Sequence, residues 1–253
     1  MKTIVITCIS VGLATFLLFS CHKDKPEDLV YHDLTFNPAS LLEQIPAGLK
    51  GSEDPYARLV YGDMAAMLDW GEFSGQLILP DSAVKTHAVA AAETYQWNLY
   101  TGSLLLLINL TFSRAGNEYQ WQEKIQYGPV GAPNEYLTAK EYEPGDSGSL
   151  QHNTRWFCGL NQLTDPCNPL YRQYKWKMIN DSSIFYQVKM KDQSIESALN
   201  LEYRLVLNSD GSGSVNANSG TEQYYHAAWN NLGNGIYVLY EGEIPETHEW
   251  NLP

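Results

Sequence analysis

Leu199-Asn200-Leu201-Glu202-Tyr203-Arg204-Leu205-Val206-Leu207 places leucine or tyrosine at every second position, with Asn200, Glu202 and Arg204 facing the other way. Successive side chains of a strand point to opposite faces, so the run reads as a half-buried antiparallel strand. Asp210-Gly211-Ser212-Gly213 follows at once as a hairpin signal and leads to a short strand near 214–218.

The same grammar extends in both directions. Upstream, Tyr95, Trp97 and Leu99 alternate until Gly102 breaks them, and Leu104 to Phe112 follows. Arg114-Ala115-Gly116-Asn117 makes a turn before Tyr119, Trp121, Ile125 and Tyr127. Weaker runs at 136–142, 151–158 and 170–179 lead to Ile184, Tyr186, Val188 and Met190, which alternate well. Downstream, aromatic runs at 223–230, 235–241 and 247–251 are separated by Asn234-Gly235 and Gly242. Roughly ten short strands with frequent turns and no βαβ spacing predict a mainly β protein. The expected form is an antiparallel meander, closed as a barrel or stacked as a sandwich.

One helix is expected against that sheet. Ser52-Glu53-Asp54-Pro55 offers an N-cap serine, acids for the positive end of the dipole and a proline in the first turn. Tyr56, Leu59, Val60, Met64, Met67 and Leu68 then fall at helical spacing, which predicts a helix over 53–69. Its Met and Tyr stripe reads as core.

The N-terminus says where such a domain works. Lys2 precedes an apolar run from Ile4 to Phe19, short of the ~20 residues a spanning helix needs. The run ends in Leu18-Phe19-Ser20-Cys21, which resembles the lipobox of bacterial lipoprotein precursors. That resemblance implies cleavage before Cys21 and acylation of its thiol and amine, which anchors a protein stably. It divides the chain into a signal peptide (1–20), a lipidated cysteine with a tether and lead-in segment (21–50), and a single β-rich domain with its helix (51–253). By the same resemblance His22, in place of an aspartate, points to the outer membrane. The Ile45-Pro46-Ala47 segment, the Asp54-Pro55 helix start and the closing Ala228-Trp229 to Glu249-Trp250 strands are loosely similar to β-rich Bacteroidota lipoproteins of no established activity.

Charge excludes some partners. Loss of residues 1–20 removes Lys2 and no acid, leaving 15 basic against 29 acidic residues, or −14. An excess of that size repels both nucleic acid and an anionic membrane surface. Of the four cysteines, Cys8 lies in the signal and Cys21 carries lipid. Cys158 and Cys167 remain, bracketing a loop, and are expected to form a disulfide in a compartment that permits one. Zinc would need two further ligands there, and the spacing is not that of a Cys-x-x-Cys redox pair.

Catalytic motifs fail on inspection. Gly145-Asp146-Ser147-Gly148-Ser149 is similar to the nucleophile turn of chymotrypsin-like proteases, but His87 lacks the expected setting and lies too close in sequence. Asn208-x-Asp210-x-Ser212-Gly213 matches half a calcium loop, with Ser219 where a bidentate glutamate is needed. The six histidines show no zinc-protease spacing, and no cofactor motif is present. What remains are the aromatics Trp97, Trp121, Trp156, Trp176, Trp229 and Trp250, which sit in strand runs and read first as core. A subset facing a cavity or an open face would bind a glycan or a lipid-like molecule. The sequence therefore predicts a non-enzymatic, membrane-anchored binding protein; the alternative is a structural or partner-binding subunit of an envelope complex.

Overall fold

The computed structural model describes residues 29–69, 77–89, 91–102, 104–129, 131–143, 145–153, 170–192, 200–242 and 244–251. The signal and lipobox, including Cys21, lie outside the described residues, as do Trp156, Cys158 and Cys167. The strands are β1 (Val84–Val89), β2 (Ala92–Thr101), β3 (Leu104–Ala115), β4 (Glu118–Tyr127), β5 (Asn134–Tyr142), β6 (Ser147–Asn153) and β7 (Leu170–Asn180). They continue as β8 (Ser183–Asp192), β9 (Asn200–Asn208), β10 (Gly213–Ser219), β11 (Glu222–Trp229), β12 (Gly235–Leu239) and β13 (Glu246–Trp250).

All thirteen form one antiparallel sheet whose spatial order is the sequence order. The protein is thus a mainly β meander, as alternation predicts, with thirteen strands instead of about ten. Among the described residues β1 pairs with β2 alone and β13 with β12 alone, so the two edges of the meander are not hydrogen-bonded to each other.

One face of this sheet, here the inner face, holds the core. It is covered by the chain's own N-terminal part, in two passes. The first is an extended strap, residues 29–37. Tyr31 packs edge-on against Tyr95 of β2 and Phe112 of β3, and His32 against Tyr119 and Trp121 of β4. The Trp121 indole N–H donates to the His32 carbonyl at 3.1 Å. Farther along, the Thr35 and Phe36 amides both donate to the buried carboxylate of Glu141 on β5 at 3.0 Å. The Phe36 ring stacks on Trp176 of β7, with centroids 4.6 Å apart. The lead-in segment is therefore built into the core.

A 3₁₀ turn (Pro38–Ser40) and two short helices, α1 (Leu41–Gln44) and α2 (Ala47–Lys50), reverse the chain. The second pass is α3 (Pro55–Leu68). Its N-cap is Asp54, whose carboxylate accepts from the Tyr56 and Ala57 amides; Ser52 instead accepts from the Asp54 amide. Ala57, Val60, Met64, Met67 and Leu68 are buried, whereas Leu59 points to solvent because it lies off their stripe. Tyr56 stacks on His248 of β13, the Tyr225 hydroxyl of β11 donates to Asp63, and the Tyr186 hydroxyl of β8 donates to the Met67 carbonyl. The chain then returns to the strap, where the Tyr31 hydroxyl donates to the Leu77 carbonyl.

A repeated tryptophan–glycine pairing explains much of the tryptophan content. Trp176, Trp229 and Trp250 stand directly across from Gly148, Gly213 and Gly235 on the neighbouring strand. Each indole lies over its glycine, in space a Cβ would occupy. Its N–H donates to the carbonyl of a glycine in the adjoining turn: Gly145 at 3.3 Å, Gly211 at 2.9 Å and Gly233 at 2.6 Å. The three turn glycines have φ between 85° and 102°, the left-handed region that glycine tolerates. The protease-like and calcium-like motifs fall in two of these turns. Asp210, the central acid of the second, is held by the Ser212 amide and hydroxyl within its own turn.

Candidate functional site

The tryptophans singled out from sequence do not gather at one place. Trp121, Trp176 and Trp229 are each at most 5% exposed and have their indole N–H groups bonded to backbone, which leaves no ring face for a ligand to stack on. Trp97 is half-buried at the margin of the core, opposite Ile108. His87 lies on edge strand β1 and Ser147 on β6, with four strands between them, so the protease-like pairing has no geometry.

What alternation on the sheet does assemble is a row of polar residues on the inner face. Strand register lines up Tyr95, Leu110, Glu123, Leu137, His152, Arg172, Met190 and Leu201 across β2 to β9. The row lies next to the strap, on the side where β4–β5, β6–β7 and β8–β9 are joined by their longer connections. Glu123 and His152 are buried there, at 2% and 4% exposure, and Arg172 is half-buried.

Glu123 is the anomaly. Its neighbours across the ladder are Leu110 and Leu137, both with no exposure at all. One of its carboxyl oxygens finds no hydrogen-bond partner. Burial alone pushes its pKa from 4.5 up to about 8, because an apolar surrounding penalises the anion. At neutral pH it is a carboxylic acid, with a proton to donate. A β-bulge follows it, where the register slips between Glu123 and Lys124. That slip turns both Tyr136 and Leu137 inward, and Tyr136 meets His152 edge-on at 4.5 Å.

His152 is neutral for a related reason. Burial, and after it the charge of Arg172, lowers its pKa from 6.5 to about 4. The row thus holds a neutral acid, a neutral imidazole and a guanidinium. Glu123 and His152 are two strand spacings apart, about 10 Å, which is beyond direct proton transfer. The arrangement can orient a polar group by hydrogen bonds; it does not make an acid–base pair. Among the described residues no three His, Cys, Asp or Glu converge to hold a metal ion.

Apolar side chains surround this row. Towards the strand ends lie Trp97, Ile108 and Ile125 in one line, then Leu99, Leu106 and Tyr127 in the next. At the other flank a cleft of about 290 Å³ opens between Met190 and Leu201, the last members of the row, with Lys189 and Glu202 at its rim. A second cleft, of about 460 Å³, lies between α2, the start of α3 and Asn251, away from the row.

Sequence reasoning passed over Glu123, yet a signal was present. Trp121, Glu123, Ile125 and Tyr127 share one phase of β4, so a strand read as apolar on that face carries an acid in the middle of it. The same holds for His152, in phase with Leu150. Comparison with protein-family models, curated proteins and solved structures finds no match to this chain.

Proposed function

We propose that this chain is an outer-membrane-anchored lipoprotein whose body binds a lipid-like molecule, without catalysis, at the inner-face row around Glu123. The observation that carries this reading is the buried Glu123 carboxyl, one of whose oxygens has no hydrogen-bond partner, between Leu110 and Leu137. Leaving a buried polar group unbonded costs about 1–3 kcal/mol, and where a protein keeps such a group the usual reason is a missing partner. A carboxylic acid, an imidazole and a guanidinium set in an apolar surround suit a molecule with one polar head and an apolar body. A glycan would require exposed aromatic faces, and four of the six tryptophans considered for that role, Trp121, Trp176, Trp229 and Trp250, are buried.

Thermal-shift screening of the chain against phospholipids, fatty acids and polysaccharides tests the reading. Stabilisation by one lipid class is expected. Glu123→Leu should raise the stability of the ligand-free protein and abolish that shift. A shift confined to polysaccharides, no shift at all, or one that survives Glu123→Leu would refute it. For the anchor, Cys21→Ser should leave the precursor uncleaved and unlabelled by fatty acid; normal processing would sink the lipoprotein assignment.

A further inference from the structure

The strap fixes which side of the body the lipid tether leaves from. Tyr31 contacts β2 and β3, Thr35 and Phe36 reach β5 through Glu141, and Phe36 lies on Trp176 of β7. Followed back towards the N-terminus, the chain therefore crosses the sheet in the direction of the β1–β2 edge. Leu29 lies eight residue steps beyond Cys21. The covalent chain limits their reach to about 28 Å at most. A folded body of this length is about 45 Å across. A tether so much shorter than the body holds the β1–β2 side towards the membrane.

That side has the surface a membrane would select. Val30, Ile78, Val84, Val89, Leu99 and Tyr100 are six of the fourteen exposed large apolar side chains among the described residues, and all sit on the strap, β1, β2 or the segment leading into β1. Every residue of β1 is exposed. In a chain of net charge −13, residues 77–100 carry only Asp81, Lys85 and Glu93. Of these, Glu93 is buried and its charge is met by Lys85 at 2.5 Å. The edge is thus nearly neutral where the rest of the body would be repelled by anionic lipid. Tyr100, 70% exposed, has the aromatic body and polar tip that settle at the headgroup level.

We infer that the β1–β2 edge, with Val30, Ile78, Val84 and Tyr100, rests on the bilayer surface beside the acylated Cys21, as a second, non-covalent membrane contact. The inference rests on the lipoprotein reading. It makes the body a docked particle with a defined orientation.

The test uses the mature, lipidated chain reconstituted in phosphatidylethanolamine–phosphatidylglycerol vesicles. Nitroxide labels are placed through Val84→Cys, Tyr100→Cys and, as a control on the far side, Leu232→Cys, with the unsubstituted chain as the labelling background. Leu232 is as exposed as the other two but lies in the β11–β12 turn. Collisions with a water-borne nickel chelate should be several-fold fewer at 84 and 100 than at 232, and collisions with oxygen more frequent. Equal nickel accessibility at all three positions would overturn the docking, and so would shielding of 84 and 100 from both relaxants, which marks a protein contact. Failure of the anchor is read separately: a Cys21 peptide without acyl mass removes the tether, and the docking with it.

Discussion

Glu123 makes a quantitative pH prediction. Because its folded pKa is raised, the folded protein keeps a proton over the range in which the unfolded chain gives it up, from 4.5 to about 8. Stability contributed by the group is full below pH 4.5 and is lost as pH rises through that window. His152 works in the opposite sense. Its folded pKa is lowered from 6.5 to about 4, so the unfolded chain binds the extra proton and stability rises between pH 4 and 6.5. Asp63, raised by burial against the hydrogen bond from Tyr225, adds a loss in the acid range above 3.8. Up to pH 6.5 Glu123 and His152 oppose one another; above it, among the described residues, Glu123 is the group whose shifted pKa spans the window. At ~1.4 kcal/mol per pH unit, the stretch from 6.5 to about 8 should cost about 2 kcal/mol. Urea unfolding followed by tryptophan fluorescence at both ends of that window measures it. Glu123→Gln keeps the shape and removes the titration, so its stability should be flat there to within about 0.5 kcal/mol. An equal fall in both proteins would refute the assignment of a buried, protonated Glu123.

Two further substitutions probe how the inner face is covered. Glu141→Ala leaves the Thr35 and Phe36 amides without their acceptor and should cost about 3 kcal/mol, with faster hydrogen exchange at those two amides; unchanged exchange would mean the strap is held by its aromatics alone. Gly235→Ala puts a methyl into the Trp250 ring and the Ala228 carbonyl and should cost about 1–3 kcal/mol, of which only the part due to the indole is recovered on a Trp250→Leu background because the backbone carbonyl stays; an equal cost on both backgrounds would show that the indole is not what fills the space.

Most of the sheet was legible because it obeys period two. Twelve of the thirteen strands overlap runs read from the sequence, although β6 begins inside the expected turn and shares only residues 151–153 with the expected run at 151–158. The exception is β1, Val84-Lys85-Thr86-His87-Ala88-Val89, which is exposed on both faces and so has no burial pattern to betray it. The strap escaped notice for another reason. Leu29, Tyr31, Leu34 and Phe36 are partly buried at irregular spacing, in a segment whose conformation is set by the sheet beneath it. The helix was legible from its stripe, while its cap slipped from Ser52 to Asp54 because both side chains can accept an amide and only geometry chooses between them.

The site was less legible than the fold because abundance pointed the wrong way. Seven tryptophans suggest a binding surface, but Trp176, Trp229 and Trp250 are consumed by glycines opposite them and by carbonyls in the next turn. A wide sheet must fill its inner face, and large rings laid over glycines do so at turns where the backbone needs glycine in any case. Aromatic content is thus a cost of building this sheet and carries little information about a ligand. Polarity out of place carries more. Glu123 shares a phase with Trp121 and Ile125, and His152 with Leu150, so each opposes the burial that its strand imposes. A fold selected for stability alone would replace Glu123 with leucine, as its neighbours Leu110 and Leu137 already are. That an acid sits between them is the reason to test for a ligand there, and not along the tryptophans.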